Sequence, residues 1–316
     1  MIERFVQMLK SGGLVAFPTE TVYGLGADAT NPTAVAKIFA AKGRPGTNPL
    51  IVHIADSSVA RRYATHWTDT ATKLAARFWP GPLTLVLPKS PDIVDAVTAG
   101  RGTVGLRVPD HPLALGLLRA FDGPVAAPSA NKSNRISPTA AQHVRDELGD
   151  SVDLILDGGP CKVGIESTVL DLSGDSPMIL RLGGVSRQQI EAVIGPVGLL
   201  QQVASEESAK SPGQLPVHYS PRTAAWRFDR ATERKIQTER ASPSIGIIRV
   251  SSTEAVHSGG ATIALSCNPE IYARDLYCAL RELDSMGLTA IYIEMPPDQP
   301  EWAAVRDRIL RATKAL

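Results

Sequence analysis

The chain is short of the residues that mark several common classes of protein. It has three cysteines in 316 residues, Cys161, Cys267 and Cys278. The number is odd and the spacing is wide, which argues against a disulfide framework and against a zinc site. Scattered thiols of this kind suit small side chains in a reducing cytoplasm. Aromatic residues make up only 5% of the chain and the formal net charge is +1. There is thus no global basic field and no aromatic stacking platform, and a nucleic-acid partner would have to be held by a local patch. No run of about 18 apolar residues occurs, so no membrane span and no membrane partner is expected. The N-terminal stretch MIERFVQMLKSGG carries Glu3 and lacks a long apolar core. It reads as a short amphipathic helix ended by Gly12 or Gly13, not as a signal peptide.

Several motifs are missing as well. There is no G-x-x-x-x-G-K-[ST] loop and no G-x-G-x-x-G, since YGLGAD fails the spacing after its second glycine. H-E-x-x-H, C-x-x-C and G-x-S-x-G are also absent. P-loop phosphoryl transfer, zinc hydrolysis and serine hydrolysis therefore lack support, and no metal-ligand set stands out.

What is present is an ordinary soluble composition, 43% apolar and 21% charged, in a chain long enough for about two domains. Short apolar runs bounded by Gly and Pro read as strands at 14–18, 49–54, 83–88, 104–109, 124–129, 154–159, 167–172 and 178–183. Helical patterns lie near 33–41, 70–78, 111–121, 139–147 and 186–194. Some strands follow one another too closely for a helical crossover, so the sheet is expected to be mixed. The texture changes at QQVASEESAKSPGQLPVHYSPRT, which is poor in apolar residues and rich in Pro, Ser and Glu. This divides the chain into a first domain over 1–202, an extended linker over 203–222 and a small α/β domain over 223–316. In the last, strands at 224–228, 245–250, 261–266 and 289–294 alternate with two strongly periodic helices, which favours a parallel sheet.

Polar residues gather where the strands end. Thr19, Glu20 and Thr21 follow the first strand, and Lys42 and Arg44 precede the second. Thr103 and Arg107 bracket VGL, Ser129 and Asn131 follow PVAAP, and Glu166, Ser167 and Thr168 open STVLDL, while Arg181 lies within MILRLG. Sites in α/β sheets commonly form at strand ends. If these ends converge, four cations meet hydroxyls and an amide, a set suited to a polyanion beside a polar organic molecule, such as a nucleoside triphosphate and an amino acid. Taken singly, each has a plainer reading. Lys42 and Arg44 complement a helix C-terminus, Arg107 and Arg181 form internal ion pairs, His53 is a hydrogen-bonded strand residue, and Ser129 and Asn131 belong to a turn.

The fragments FPTETVYGLG, KGRPGTNPLIVHI, WPGPLTLVL, TVGLRVPDHP, APSANKSNRISPT, GIESTVLDL and ILRLGG occur in this order. Together they resemble the YrdC-like domain of the threonylcarbamoyl-AMP synthase family over nearly all of residues 1–200. The SPG…HYSP linker and the small domain after it resemble the long, two-domain form of that family. The resemblance implies a twisted mixed sheet with a concave, positively charged cavity, followed by a linker and a small Rossmann-like domain. It implies condensation of L-threonine, bicarbonate and ATP to threonylcarbamoyl-AMP with release of pyrophosphate, a nucleotidyltransferase reaction. Magnesium is the implied cofactor, carried with ATP. The product would serve threonylcarbamoyl-adenosine formation in tRNA, with tRNA and downstream threonylcarbamoyl-transfer proteins as partners, in the cytoplasm.

Carried over motif by motif, Thr19, His53, Arg107, Ser167 and the backbone of Ala127 would hold threonine. Lys42 and Arg44 would face the ATP phosphates as the catalytic cations. Thr103, Ser129, Asn131, Ser137 and Arg181 would complete the nucleotide site, and Tyr219, beside His218 in the linker, would reach over it. Where the family linker is basic and aromatic, this one carries Gln214 and Val217. Two alternatives stay open: an RNA-binding, translation-associated module, and a carbamoyltransferase of the hydrogenase-maturation type. The latter is disfavoured by the lack of zinc-finger cysteines and of an acylphosphatase-like segment.

Overall fold

The computed structural model describes residues 2–200, 218–229, 231–233, 244–251, 257–258 and 261–316. It divides into two compact units, Met1–Ser133 with Ser137–Lys162 and Glu166–Pro216, and Asn134–Ile136 with Val163–Ile165 and Val217–Leu316. The linker expected over 203–222 lies outside the described residues as far as position 217.

Among the described residues the first unit has ten strands: β1 (Val15–Phe17), β2 (Gly24–Asp28), β3 (Ile51–His53), β4 (Leu83–Pro88), β5 (Thr103–Arg107), β6 (Val125–Ala126), β7 (Leu154–Ile155), β8 (Thr168–Asp171), β9 (Met178–Arg181) and β10 (Gly198–Leu199). They pair in the order β10-β9-β8-β4-β5-β3-β6-β2-β1-β7. β3–β5 and β4–β8 are parallel while β4–β5, β3–β6 and β8–β9 are antiparallel, so the sheet is mixed, as the short connections required. Each of the eight strand-like runs contributes a strand. β2 and β10 are additions: β10 pairs with β9, and GLGAD, notable in the sequence only as a failed nucleotide motif, pairs with β1 and β6.

Among the described residues eight α-helices accompany the sheet: α1 (Ile2–Lys10), α2 (Pro32–Lys42), α3 (Ala60–Tyr63), α4 (Asp69–Phe78), α5 (Asp95–Thr98), α6 (Pro112–Phe121), α7 (Ala141–Leu148) and α8 (Arg187–Ile194). Successive strand residues point to opposite faces, and β1 shows it. Ala16 joins a large apolar cluster with Leu25, Ile38, Val52 and Leu106, whereas Val15 and Phe17 join a second one with Leu9, Leu117 and Phe121. Apolar burial on both faces explains why the strands read as continuous apolar runs rather than alternating ones.

α2 matters most for the site. Its Asn31 cap accepts hydrogen bonds from the Thr33 and Ala34 N–H groups, and Pro32 stands at the first turn, where a missing N–H costs nothing. Gly43, at φ 59°, closes the other end in the left-handed conformation. The stop leaves Lys42 as the last helical residue, with its side chain turned into the protein.

The second unit carries β11 (Ala224–Phe228), β12 (Ile245–Ser251), β13 (His257–Ser258), β14 (Thr262–Ser266), β15 (Ala290–Glu294) and β16 (Lys314–Ala315), in the order β13-β14-β12-β15-β11-β16. Every pairing is parallel except β13–β14. Helices Pro269–Ser285 and Ala303–Ala312 fall where the periodicity placed them. The segments 134–136 and 163–165 belong to this unit. Arg281 donates to the Ile136 carbonyl, the Ser220 N–H donates to Asn134 O at 2.9 Å, and Arg135 Nη1 donates to Pro221 O at 3.1 Å. Gly164, at φ +77°, lies so near helix Pro269–Ser285 that a Cβ there would fall 2.4 Å from the Cα of Arg274. Only glycine fits that approach.

Candidate functional site

The strand-end residues form three buried polar groupings in the first unit. The first lies where β3 and β5 end side by side, with His53 in register with Arg107. Arg107 is only 4% exposed, and most of its guanidinium is committed. Nε donates to Gly81 O at 3.2 Å, and Nη2 donates to Glu20 Oε1 at 2.6 Å and to Thr21 Oγ1 at 2.9 Å. Nη1 makes no hydrogen bond among the described residues, which leaves one donor edge for an incoming carboxylate. The Thr19 hydroxyl donates to Val22 O at 2.6 Å, so the Thr21 hydroxyl is the donor in their 2.8 Å contact. Burial, aided by the Arg107 charge, holds the His53 imidazole well below the usual histidine range. His53 Nδ1 is buried with no hydrogen-bond partner among the described residues, and the ring meets Phe17 edge-on at 5.9 Å.

The second grouping is at the end of α2. Lys42 Nζ donates to the carbonyls of Ser129 and Asn131 and lies 3.5 Å from Asn131 Oδ1. Burial first, then the neighbouring charges of Arg44 and Lys132, push its pKa well below the usual lysine value, with Glu147 opposing. Arg44 folds back on its own loop, with Nε 3.3 Å from Asn48 O and Nη2 3.1 Å from Pro49 O. Beside it Asn48 Oδ1 is buried without a hydrogen-bond partner among the described residues. Such a group is costly to leave unpaired and is ready to accept a hydrogen bond.

The third grouping joins β8 to β9. Arg181 Nε and Nη2 both donate to Ser167 O, at 3.1 and 2.9 Å, and Nη2 also reaches Ser167 Oγ at 3.1 Å. The hydroxyl of Thr84, on β4, lies 2.8 Å from Ser167 Oγ. Ser137 Oγ donates to Glu166 Oε1 at 2.6 Å. Gly183 makes the packing possible, because a Cβ there would fall 2.3 Å from Glu166 O and 2.4 Å from Thr168 N.

The structure thus brings Thr19 together with Arg107 and His53, Lys42 with Ser129 and Asn131, and Ser167 with Arg181. Ala127 is tied to the same sheet region, its N–H donating to Ile51 O at 2.8 Å. Thr103 stands at the opposite end of β5 from Arg107, four residues or about 13 Å along the strand. Tyr219 belongs to the second unit, where its ring stacks on Tyr277 at 5.9 Å and lies beneath the Arg308 guanidinium at 4.9 Å. Five participants carry no role from sequence: Glu20, Thr21, Asn48, Thr84 and Glu166. Glu20 stood among the strand-end polar residues without a partner being evident. Asn48 precedes a proline and looks like turn chemistry. Thr84 was legible only as the one hydroxyl in the apolar run LTLVLP. Among the described residues no group of three or more His, Cys, Asp or Glu side chains could hold a metal ion.

Buried cations, hydroxyls and one unpaired guanidinium edge stand at the strand ends of a mixed α/β sheet, a set whose chemistry suits an anion. The comparisons identify the family. A family model described as telomere recombination matches residues 7–183, and one described as threonylcarbamoyl-AMP synthase, C-terminal domain, matches residues 185–314. The chain is 43% identical to the threonylcarbamoyl-AMP synthase of Bacillus subtilis, over 98% of this chain and 92% of that protein. It is 40% identical to that of Pyrococcus abyssi, over 96% and 92%. The crystal structure of P. abyssi Sua5 complexed with L-threonine superposes with a TM-score of 0.89 and 37% identity, covering 100% of this chain and 96% of that one. The chain belongs to the threonylcarbamoyl-AMP synthase family.

Proposed function

We propose that the chain is an enzyme that condenses L-threonine, bicarbonate and ATP to threonylcarbamoyl-AMP, releasing pyrophosphate and water. The observation that carries this reading is the buried Arg107 with one unpaired donor edge, beside the neutral His53, in the same unit as the Lys42–Asn131 and Arg181–Ser167 groupings. Its chemistry matches the two substrates, an amino-acid carboxylate and a triphosphate.

In this reading threonine lies in a concave pocket at the ends of β3 and β5. Its carboxylate meets Arg107 Nη1, its side chain lies near His53 and Ser167, and the Thr19 and Ala127 backbones bound it. The amine bonds to the bicarbonate carbon and water leaves. A carbamate oxygen then bonds to the α-phosphorus as the bond to pyrophosphate breaks. Carbamate and triphosphate are both anions and approach only where charge is compensated. Lys42 and Arg44 supply that compensation on the phosphates, with Arg181, Thr103, Ser129, Asn131 and Ser137 holding the nucleotide. Catalysis is then positioning and electrostatic stabilisation rather than covalent chemistry. Magnesium would be carried with ATP and would supply further countercharge to its phosphates; among the described residues no group of three or more His, Cys, Asp or Glu side chains could hold it. The second unit is a Rossmann-like domain. The product passes to threonylcarbamoyl-transfer proteins acting on tRNA in the cytoplasm. No helix among the described residues is long and apolar enough to cross a membrane.

Incubation with MgATP, bicarbonate and L-threonine, with L-serine as control, tests the reading. Threonine-dependent pyrophosphate release is expected, and Lys42→Ala or Arg44→Ala is expected to lower it by at least about 100-fold with the fold retained. Near-normal release from both variants would remove the phosphate role.

A further inference from the structure

The Arg107–Glu20 pair has a consequence for what the pocket accepts. Both side chains are almost fully buried, at 5% and 4% exposure. Glu20 is fixed from two sides, Oε1 accepting from Arg107 Nη2 at 2.6 Å and Oε2 from the Asp110 N–H at 3.0 Å. Two of the roughly four acceptor positions of a carboxylate are thereby used, and the others are available. On the cationic side Nη1 is the edge left over. The pair therefore presents an unused donor and an unused acceptor, and its net charge is zero.

We propose that Glu20 is a specificity-determining residue that makes the pocket select an α-amino acid zwitterion over a carboxylate anion. The inference rests on the reading that Arg107 receives the threonine carboxylate. Buried charge must be balanced, because an uncompensated ion in a low-dielectric site is costly. A zwitterion on the neutral pair leaves the site neutral: its carboxylate takes Nη1 and its ammonium is attracted to Glu20. A plain carboxylate on the same pair leaves one net negative charge buried. The titratable groups that sense this pair supply no compensating positive charge, since burial holds the His53 and His111 imidazoles below the usual histidine range and raises the Cys161 thiol. With Glu20→Gln the balance reverses. The anion then gives a neutral site, and the zwitterion leaves one positive charge.

The test is isothermal titration of the full chain with two ligands. One is L-threonine. The other is 2,3-dihydroxybutanoate of matching configuration, which keeps the carboxylate and β-hydroxyl and replaces the ammonium by a hydroxyl. The unaltered protein is expected to bind threonine at least about tenfold more tightly. Glu20→Gln is expected to weaken threonine by about tenfold or more and to tighten the dihydroxy acid, so that the preference is lost or inverted. Glu20→Asp keeps the charge and is expected to keep the preference at reduced affinity. An unchanged preference in folded Glu20→Gln overturns the proposal, and so does an equal loss for both ligands, which a purely structural role predicts. If Glu20→Gln does not fold, Glu20→Asp decides: loss of preference with the charge retained overturns the proposal. Failure of the unaltered protein to bind threonine would instead overturn the underlying reading of the pocket.

Discussion

Acidification should destabilise the first unit through His53, and the loss can be worked from its surroundings. The residue is 3% exposed, and burial with the Arg107 charge keeps the imidazole neutral well below the ordinary value near 6.5. The unfolded chain has no such constraint and protonates near pH 6.5. Below that value the unfolded state binds a proton that the native state refuses, so stability falls as pH falls. Between pH 6.5 and 5.5 one such group costs about 1 kcal/mol. His53→Asn removes the titration, whatever it does to stability at neutral pH. The measurement is the urea-unfolding free energy at several pH values, read from Trp67 and Trp79 with Trp226 and Trp302 replaced by Phe. The two reporters lie 6.0 Å apart in the first unit. His111 is also shifted down by burial, but it contributes equally to both proteins and cancels in the difference. The parent should lose about 1 kcal/mol more than His53→Asn over that interval. Parallel curves would show that the ring protonates without cost in the folded protein, which would refute the neutral, buried histidine.

Three further outcomes are expected. Because Lys42 has its pKa lowered by burial and neighbouring cations, and a phosphate would restore it, MgATP binding should take up protons and weaken as pH rises towards the ordinary lysine value; calorimetry in buffers of different ionisation enthalpy reads this directly. Thr84→Val removes the hydroxyl 2.8 Å from Ser167 Oγ and should raise the KM for threonine by about three- to tenfold with little change in the KM for ATP, as steady-state kinetics would show. Gly183→Ala places a methyl against the Glu166 carbonyl and the Thr168 amide and should cost about 2–3 kcal/mol, seen as a lower urea midpoint.

Much of the architecture was legible because strand and helix periods differ and because Gly and Pro mark the ends. PLIVHI, LTLVLP and STVLDL became β3, β4 and β8, and the Asn31-Pro32 start and Gly43 stop of α2 are local signals. β2 was missed because Gly24 and Gly26 lower strand propensity, and tertiary pairing with β1 and β6 overrides it. The strand order was not legible, since it depends on which edges meet over long sequence separations. The same limit governs the site. Arg107 and Arg181 could be named because a cation inside an apolar run requires a partner, whereas Lys42 and His53 took their roles from the family resemblance. Glu20 could not be paired with Arg107, 87 positions away, nor Thr84 with Ser167, 83 away, because nothing in a linear pattern encodes those contacts.

The second unit's claim on residues 134–136 and 163–165 bears on how such a chain can be shortened or spliced. A gene cut after the first family match would separate these two short segments from the rest of their unit. It would strand a glycine shaped to the backbone of helix Pro269–Ser285, together with a carbonyl, Ile136 O, that Arg281 serves. The residues immediately downstream of those two segments are Ser137 and Glu166, joined to each other by a hydrogen bond. Any shortening of the chain therefore has to deal with the two segments that lead directly into that hydrogen bond.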